Sequence, residues 1–535
     1  MARRTGFGRE TYRNQKTAHY FLLPPKPCQV NGGLSRVLIC LGVISAFSAV
    51  HLILWTYSPQ RRRERRENFK LGHHRGLMEH LPPLLGRARI HLPFSAAVPN
   101  SVSLVPKNGM IDEVKSTKLP NGIAVLTEHM PGLRSVTAGI WVRRGSRHET
   151  AEMNGICHFI EHAVFKGTRN RSARDIAVET DRLGGNLDAY TTHEMTGFTT
   201  KVADTALSQA IDLLADLVSH PRFEQEDLER EQKVILEEMK MVEDTPDELL
   251  GELFNAAYFP NQPLGRPIEG TRETVSTFDH KVTVAFHARE FSYSNFVVAA
   301  AGNVDHDRLV DLVAVAFDGC ESGAGVRPYP VDHGRPRPAA PILIEQKSEL
   351  EQAHLVLATP WPHAIAAERY AASLLGSIIG GGTSSRLWQK VREERGLAYS
   401  VGAAGSAFSD VGVFNVYAGT SPEHLDDVLE LSLAELREVV RNPVSEEELR
   451  IAKDQAISSI LLGLESSSAR AGTLARQEII HGRRISPDEV IEKIREITID
   501  ELQEVARTYF KTETIALGVL GNLNGFNVDR SRLEI

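Results

Sequence analysis

The stretch His158-Phe159-Ile160-Glu161-His162 reads H-x-x-E-H, the reverse of the H-E-x-x-H zinc-peptidase signature. On a helix, residues four apart share one face, so His158 and His162 can grip a single Zn²⁺. Glu161, one position before the second imidazole, stands beside them as a base. With 20 histidines in 535 residues, a random chain shows this pattern about once in twenty tries. On the motif alone, the competing reading is a helix with two surface histidines and a solvated glutamate. The flanks weigh against it. Asn154 reads as an N-cap, the run 156–165 is apolar around the motif, and Gly167 reads as a stop. Phe159, Ile160, Val164 and Phe165 predict a mostly buried helix. Buried imidazoles and a buried carboxylate need partners, and a metal supplies them.

A zinc site that performs chemistry has three protein ligands and an open position for water. The candidate source of the third ligand is 227–242, rich in helix formers, with an apolar stripe at Val234, Leu236, Met239 and Val242. Glu231 and Glu238 are seven residues apart and lie on nearly one face, but about 10.5 Å apart along the axis. Both therefore cannot bind one ion; one is a ligand and the other a supporting or proton-handling group. Spacing does not choose between them, and Glu237 also stays open.

These segments resemble those of the M16 metallopeptidases, the pitrilysin, insulin-degrading enzyme and mitochondrial processing peptidase group. The resemblance rests on 158–168 (HFIEHAVFKGT), on 184–191 (GGNLDAYT) and on 229–238 (EREQKVILEE), with Glu238 standing 76 residues after His162 and Glu231 seven before Glu238. It implies His158, His162 and Glu238 as ligands of one Zn²⁺ per chain, Glu161 as general base and Glu231 as a supporting carboxylate. The 184–191 segment resembles an edge strand that pairs with the substrate backbone, placing Asp188, Ala189 and Tyr190 against substrate; Asp188 stands where the processing peptidases usually have Asn. Downstream, 380–387 (GGGTSSRL) followed by 392–400 (REERGLAYS) resembles the second signature of the family. There an Arg and a Tyr seven residues apart hold the substrate backbone and steady the oxyanion, the roles implied for Arg392 and Tyr399; a guanidinium and a phenol can both donate to a developing negative charge. The glycine triplet is not a phosphate loop, because no Gly-Lys-Ser/Thr follows it, and no nucleic-acid partner is expected. Glu248 and Glu252, four apart after the ligand helix, resemble the acidic pair with which processing peptidases read a substrate arginine.

The resemblance covers about 112–520 and implies an α+β fold: two domains of the same kind, each a mainly antiparallel sheet packed with helices, together half of a clamshell. The expected boundaries are 110–325 for the zinc-binding domain, 326–341 for the linker, within a Gly-, Pro- and Arg-rich stretch that begins near Glu321, and 342–535 for the second domain. Half a clamshell implies a dimer, with the zinc site of one chain facing the Arg392/Tyr399 element of the other. Both elements are intact here, which favours a homodimer over a heterodimer with an inactive partner.

Residues 1–109 hold 17 Lys/Arg against 4 Asp/Glu, and 110–535 hold 44 against 65. The acidic body favours basic peptides through its long-range field. In the extension, 37–55 carries no Asp, Glu, Lys or Arg, and its 19 residues span about 28 Å as a helix, enough for one membrane crossing. Translation from Met1 predicts a membrane-anchored protein with a basic tether; a start at Met110 predicts a cytoplasmic one. The four cysteines, Cys28, Cys40, Cys157 and Cys320, show no C-x-x-C spacing and no disulfide framework, and Cys157 reads as a buried thiol. The expected function is a zinc-dependent metalloendopeptidase acting on peptides or unfolded segments in a closed chamber. The alternative is a non-catalytic scaffold or core-type subunit, a class that typically loses part of the zinc motif.

Overall fold

The computed structural model describes residues 114–318 and 334–535. Its architecture is the α+β pair of sheets expected. The first half forms a six-stranded mixed sheet in the order β1-β2-β6-β3-β5-β4, with β1 Val114–Lys118, β2 Ala124–His129, β3 Ser135–Val142, β4 Asn186–Thr191, β5 Thr196–Ala203 and β6 Phe296–Gly302. The second half forms a five-stranded sheet in the order β7-β11-β8-β10-β9, with β7 Ile342–Gln346, β8 Ala353–Trp361, β9 Ala398–Ala407, β10 Gly412–Thr420 and β11 Ala516–Gly521. Without β1 the two orders coincide strand for strand. In each sheet the only parallel pair is the matching one, β2 with β6 and β7 with β11. The halves are thus two copies of one topology, and edge strand β9 of the second stands where edge strand β4 stands in the first.

Period-2 alternation explains the layering. In β3 and β6, Val136, Ala138, Ile140, Phe296, Val298 and Ala300 face one core. Trp141, Val297, Ala299 and Ala301 face another. Both faces being apolar, both must be covered. The first is covered by helices of its own half. The second is covered by the helix Ser467–Ile480 from the other half, through Ala471, Leu474, Ala475 and Ile479. The small residues Ala299, Ala301, Ala471 and Ala475 let helix and sheet approach closely. The reciprocal exchange also occurs. The helix Pro246–Tyr258 lays Leu250, Phe254 and Tyr258 on the outer face of the second sheet, against Ala358, Ala516 and Leu520. Gly518 on β11 leaves the space Phe254 fills, since a Cβ there would lie 2.6 Å from the phenyl ring. The first sheet's last strand ends at Gly302 and the second sheet's first strand begins at Ile342, while one helix of each half packs on the sheet of the other. A buried ion cluster adds to the union: Arg147 pairs with Glu194 of its own half and with Asp410 of the other.

Phe254→Ala is expected to cost about 3–5 kcal/mol, the usual range for a buried Phe, because Gly518 offers nothing to refill the void. Urea unfolding of the two proteins measures it; a loss below 1 kcal/mol would show that this exchanged helix is not needed to cover the sheet.

No helix among the described residues is long and apolar enough to cross a membrane. The candidate span 37–55, Cys28, Cys40 and Cys320 lie outside the described residues.

Candidate metal centre

The H-x-x-E-H segment is helical over Ile156–Ala163 and continues as a 3₁₀ turn to Lys166, with Gly167 at φ 132° ending it. One expectation needs correction: the helix does not start from Asn154 as N-cap. Gly155, at φ 94° in the left-handed region, occupies that position. Asn154 instead turns its side-chain amide to Glu149 and to the Pro267 carbonyl. This motif helix is buried along nearly its whole length. The second helix, Gln225–Glu243, packs beside it.

Packing resolves the choice among the three glutamates. His162 is bracketed by two of them. Its Nδ1 lies 3.2 Å from Glu231, and its Nε2 lies 3.4 Å from Glu238. Glu231 also takes the Lys166 ammonium at 2.7 Å. Glu237 points away, pairing with Lys240 at the surface. One donor atom each from His158, His162 and Glu238 lies within 4.8 Å of the others. The separation of His162 and Glu238 matches the edge of a zinc tetrahedron, about 3.3–3.5 Å for ordinary Zn–N and Zn–O bonds.

The electrostatics fit a cation. His158 is 1% exposed, and among the described residues its Nδ1 has no hydrogen-bond partner. Burial, and then the charge of His162, hold it well below the ordinary imidazole value, which keeps a lone pair available. Burial also pulls on His162, but the Glu231 hydrogen bond and the charges of Glu161 and Glu238 outweigh it and raise it. Burial would raise Glu231 as well; hydrogen bonds from His162 and Lys166 hold it below the usual carboxylate value. Glu161 accepts a hydrogen bond from the Thr191 hydroxyl at 2.8 Å. Burial pushes it up to about 7, against the opposing pull of His162 and Thr191 and with help from Glu238 and Glu269.

The strand β4 is the free edge of its sheet. Ala189 packs toward the core on which the motif helix lies, and Thr191 reaches Glu161 from the same face. Asp188 and Tyr190 point to the other face, where Tyr190 Oη accepts from the Trp141 indole at 2.8 Å. Glu248 and Glu252 lie on the helix Pro246–Tyr258. Burial pushes Glu252 up to about 8, with help from Glu269, with which it shares a hydrogen bond, and from Glu248. Burial raises Glu248 as well. Glu269, absent from the sequence reading, thus influences both the acidic pair and Glu161. Thr191, Lys166 and Glu149 were also missed. Thr191 and Lys166 lie inside the family-like runs, but no spacing rule assigns them partners.

Arg392 sits in a π-helical turn, Trp388–Glu393. Its guanidinium stacks between the rings of Trp388 and Tyr399, 4.1 and 4.9 Å from their centroids. It also donates to the Tyr399 carbonyl at 2.9 Å. Tyr399, 77% exposed, stands on edge strand β9. The two residues therefore meet each other as spaced, on the second sheet. Among the described residues, none of their hydrogen bonds, ion pairs or ring contacts involves the motif helix or the Glu238 helix.

Fold and site together define a metal-binding protein of the inverzincin type built on two like α+β domains. Residues 124–272 match the profile of insulinase, peptidase family M16, and 278–456 match that of the peptidase M16 inactive domain. An uncharacterized zinc protease of Streptomyces coelicolor is 38% identical over 441 residues, 81% of this chain and 95% of that protein. Another from Mycobacterium tuberculosis is 41% identical over 394 residues, 74% of this chain and 90% of the relative. The solved structure of a protease from Helicobacter pylori superposes with a TM-score of 0.70 at 22% identity, covering 77% of this chain and all of that one. The chain belongs to the M16 peptidase family.

Proposed function

We propose that this chain is a catalytically competent zinc endopeptidase and not an inert subunit. The observation that carries the reading is the complete set at one point: His158, His162 and Glu238 converge, Glu161 is buried beside them, and Glu231 braces His162 from behind. A scaffold subunit has no use for a buried carboxylate and a buried unpartnered imidazole, each of which costs stability. The match of 278–456 to an inactive-domain profile concerns the second half, which in this reading holds substrate and binds no metal.

One zinc ion per chain is held by His158, His162 and Glu238; when bound it supplies Lewis acidity, lowering the pKa of water and polarising a carbonyl. Glu161 takes the proton from the attacking water and delivers it to the leaving amine nitrogen. The Thr191 hydroxyl fixes one carboxylate oxygen and so the direction of the other. Glu231 accepts from His162 Nδ1, which holds the tautomer that leaves Nε2 free to ligate. An extended substrate adds to the β4 edge alongside Asp188, Ala189 and Tyr190. Glu248 and Glu252 offer their negative charge to a basic side chain of the peptide. Tyr399, on the topologically equivalent edge strand of the second sheet, and Arg392, in the turn before it, donate to the oxyanion from a second copy of the chain in a homodimer.

A peptide-library digest with and without a zinc chelator tests this. Cleavage that is lost on chelation and restored by Zn²⁺ is the expected result. Purified protein that contains no zinc and cleaves nothing would establish the scaffold reading instead. A finer expectation concerns Glu231→Gln: zinc affinity falls about 10–100-fold, the usual effect of losing a carboxylate behind a ligating histidine. Competition with a chromophoric chelator reads it, and an unchanged affinity would remove Glu231 from the site.

A further inference from the structure

A buried carboxylate outside the motif organises the start of the motif helix. Glu149 is fully buried, and its side chain reaches forward to the first turn of Ile156–Ala163. One oxygen accepts from the Cys157 backbone N–H at 2.8 Å. The other accepts from the Gly155 N–H at 2.8 Å and the Asn154 amide at 3.2 Å. A helix N-terminus presents unsatisfied N–H groups that a residue at the N-cap normally covers with its own side chain. Here the N-cap is a glycine with none, and the cap is supplied from six residues upstream of it.

The same junction is closed from a third direction. The Glu149 carbonyl accepts from Arg266 at 2.7 Å, and Asn154 donates to the Pro267 carbonyl at 2.9 Å. A Cβ on Gly155 would lie 2.5 Å from the Glu269 carbonyl oxygen. The 146–148 turn just before Glu149 is bonded in turn to 192–193, directly after Thr191. Glu149 is thus the node at which the motif helix, the loop bearing Glu269 and the turn following Thr191 are held in register. His158 begins one residue after the last N–H that Glu149 holds.

We infer that Glu149 is a positioning residue for the metal centre: by clamping the first turn of the motif helix it sets the placement of His158 and Glu161 against Glu238 on the neighbouring helix. The inference rests on the zinc-peptidase reading, but its test reads metal affinity, independent of cleavage. Glu149→Gln has the same shape, keeps one acceptor oxygen and turns an NH₂ group against a backbone N–H. It is expected to lower zinc affinity about tenfold or more, in the range of other groups that orient ligands, and to lower kcat, with KM for a peptide within about twofold. The comparison variant is Glu435→Gln, an equally buried carboxylate in the second half that holds Lys390. It is expected to cost thermal stability and leave zinc affinity unchanged. Wild-type zinc affinity in folded Glu149→Gln overturns the inference and makes Glu149 a cap only. So does an equal loss in Glu435→Gln, which would trace the effect to general loosening. If Glu149→Gln does not fold, Asn154→Ala, which removes one donor and keeps both backbone ones, is measured in the same way: a weaker zinc site at constant KM supports the inference, and an unchanged one overturns it. A wild-type chain that binds no zinc sinks the peptidase reading itself and is seen before any variant is made.

Discussion

Glu161→Gln is expected to lower kcat for peptide hydrolysis about 10²–10⁴-fold, the usual contribution of a positioned acid–base group, while the purified protein keeps its zinc. The substitution leaves the three ligand atoms in place. The amide oxygen can still accept from the Thr191 hydroxyl, now at 2.8 Å; what is lost is the capacity to take and return a proton. The variant also has a stability signature. Glu161 is buried and its carboxyl is raised to about 7. A carboxyl whose pKa is higher folded than unfolded weakens the folded state at pH values above its unfolded value. In metal-free protein at neutral pH, the melting temperature of Glu161→Gln should therefore equal or exceed that of wild type. Full activity in this variant would sink the proposed chemistry; lost zinc would assign Glu161 to the ligand set.

His158→Ala should abolish both zinc binding and cleavage. The ring is 1% exposed, its Nδ1 has no hydrogen-bond partner among the described residues, and it supplies one of the three converging donors, so its removal leaves two donors and a void. Lewis-acid stabilisation amounts to several kcal/mol, so the expected loss is about 10³-fold or more in kcat/KM. Zinc per chain, measured by elemental analysis after gel filtration, should fall toward zero. Glu161→Gln and His158→Ala are thus separated by metal content at comparable loss of activity. Retention of one zinc per chain in His158→Ala would require a different ligand set.

The parts legible from sequence were those set by local geometry. Four residues make a helical turn, so H-x-x-E-H put His158 and His162 on one face before any tertiary contact was known. The pairing of Arg392 with Tyr399 is instead what the family resemblance implies, and their side chains are stacked. A Gly-, Pro- and Arg-rich stretch marks the linker near 326–341, and the strands of the first sheet all precede it while those of the second all follow it. What escaped was long-range partnership. Nothing in the chain marks Ser467–Ile480 as the cover of the sheet in the other half, because its apolar stripe reads the same whichever sheet it meets. Asn154 was mistaken for a cap because a residue of the right type stands one position before the true N-cap.

The sequence by itself places two imidazoles and a carboxylate within one helical turn, a pattern shorter than one element; the pair of like domains is what the family resemblance implies, and the two sheets show it. Spacing leaves Glu231, Glu237 and Glu238 open and the family resemblance implies Glu238; the tertiary structure supplies the physical reason. All three ride on one helix, and which face of it meets His162 depends on how two helices pack, so one glutamate came to Nε2, another to Nδ1 and the third to solvent. Glu149, Thr191 and Glu269 belong to the same class of decision: each acts on the site across a gap in the chain that no local period spans, and each is defined only by what folding brings against it.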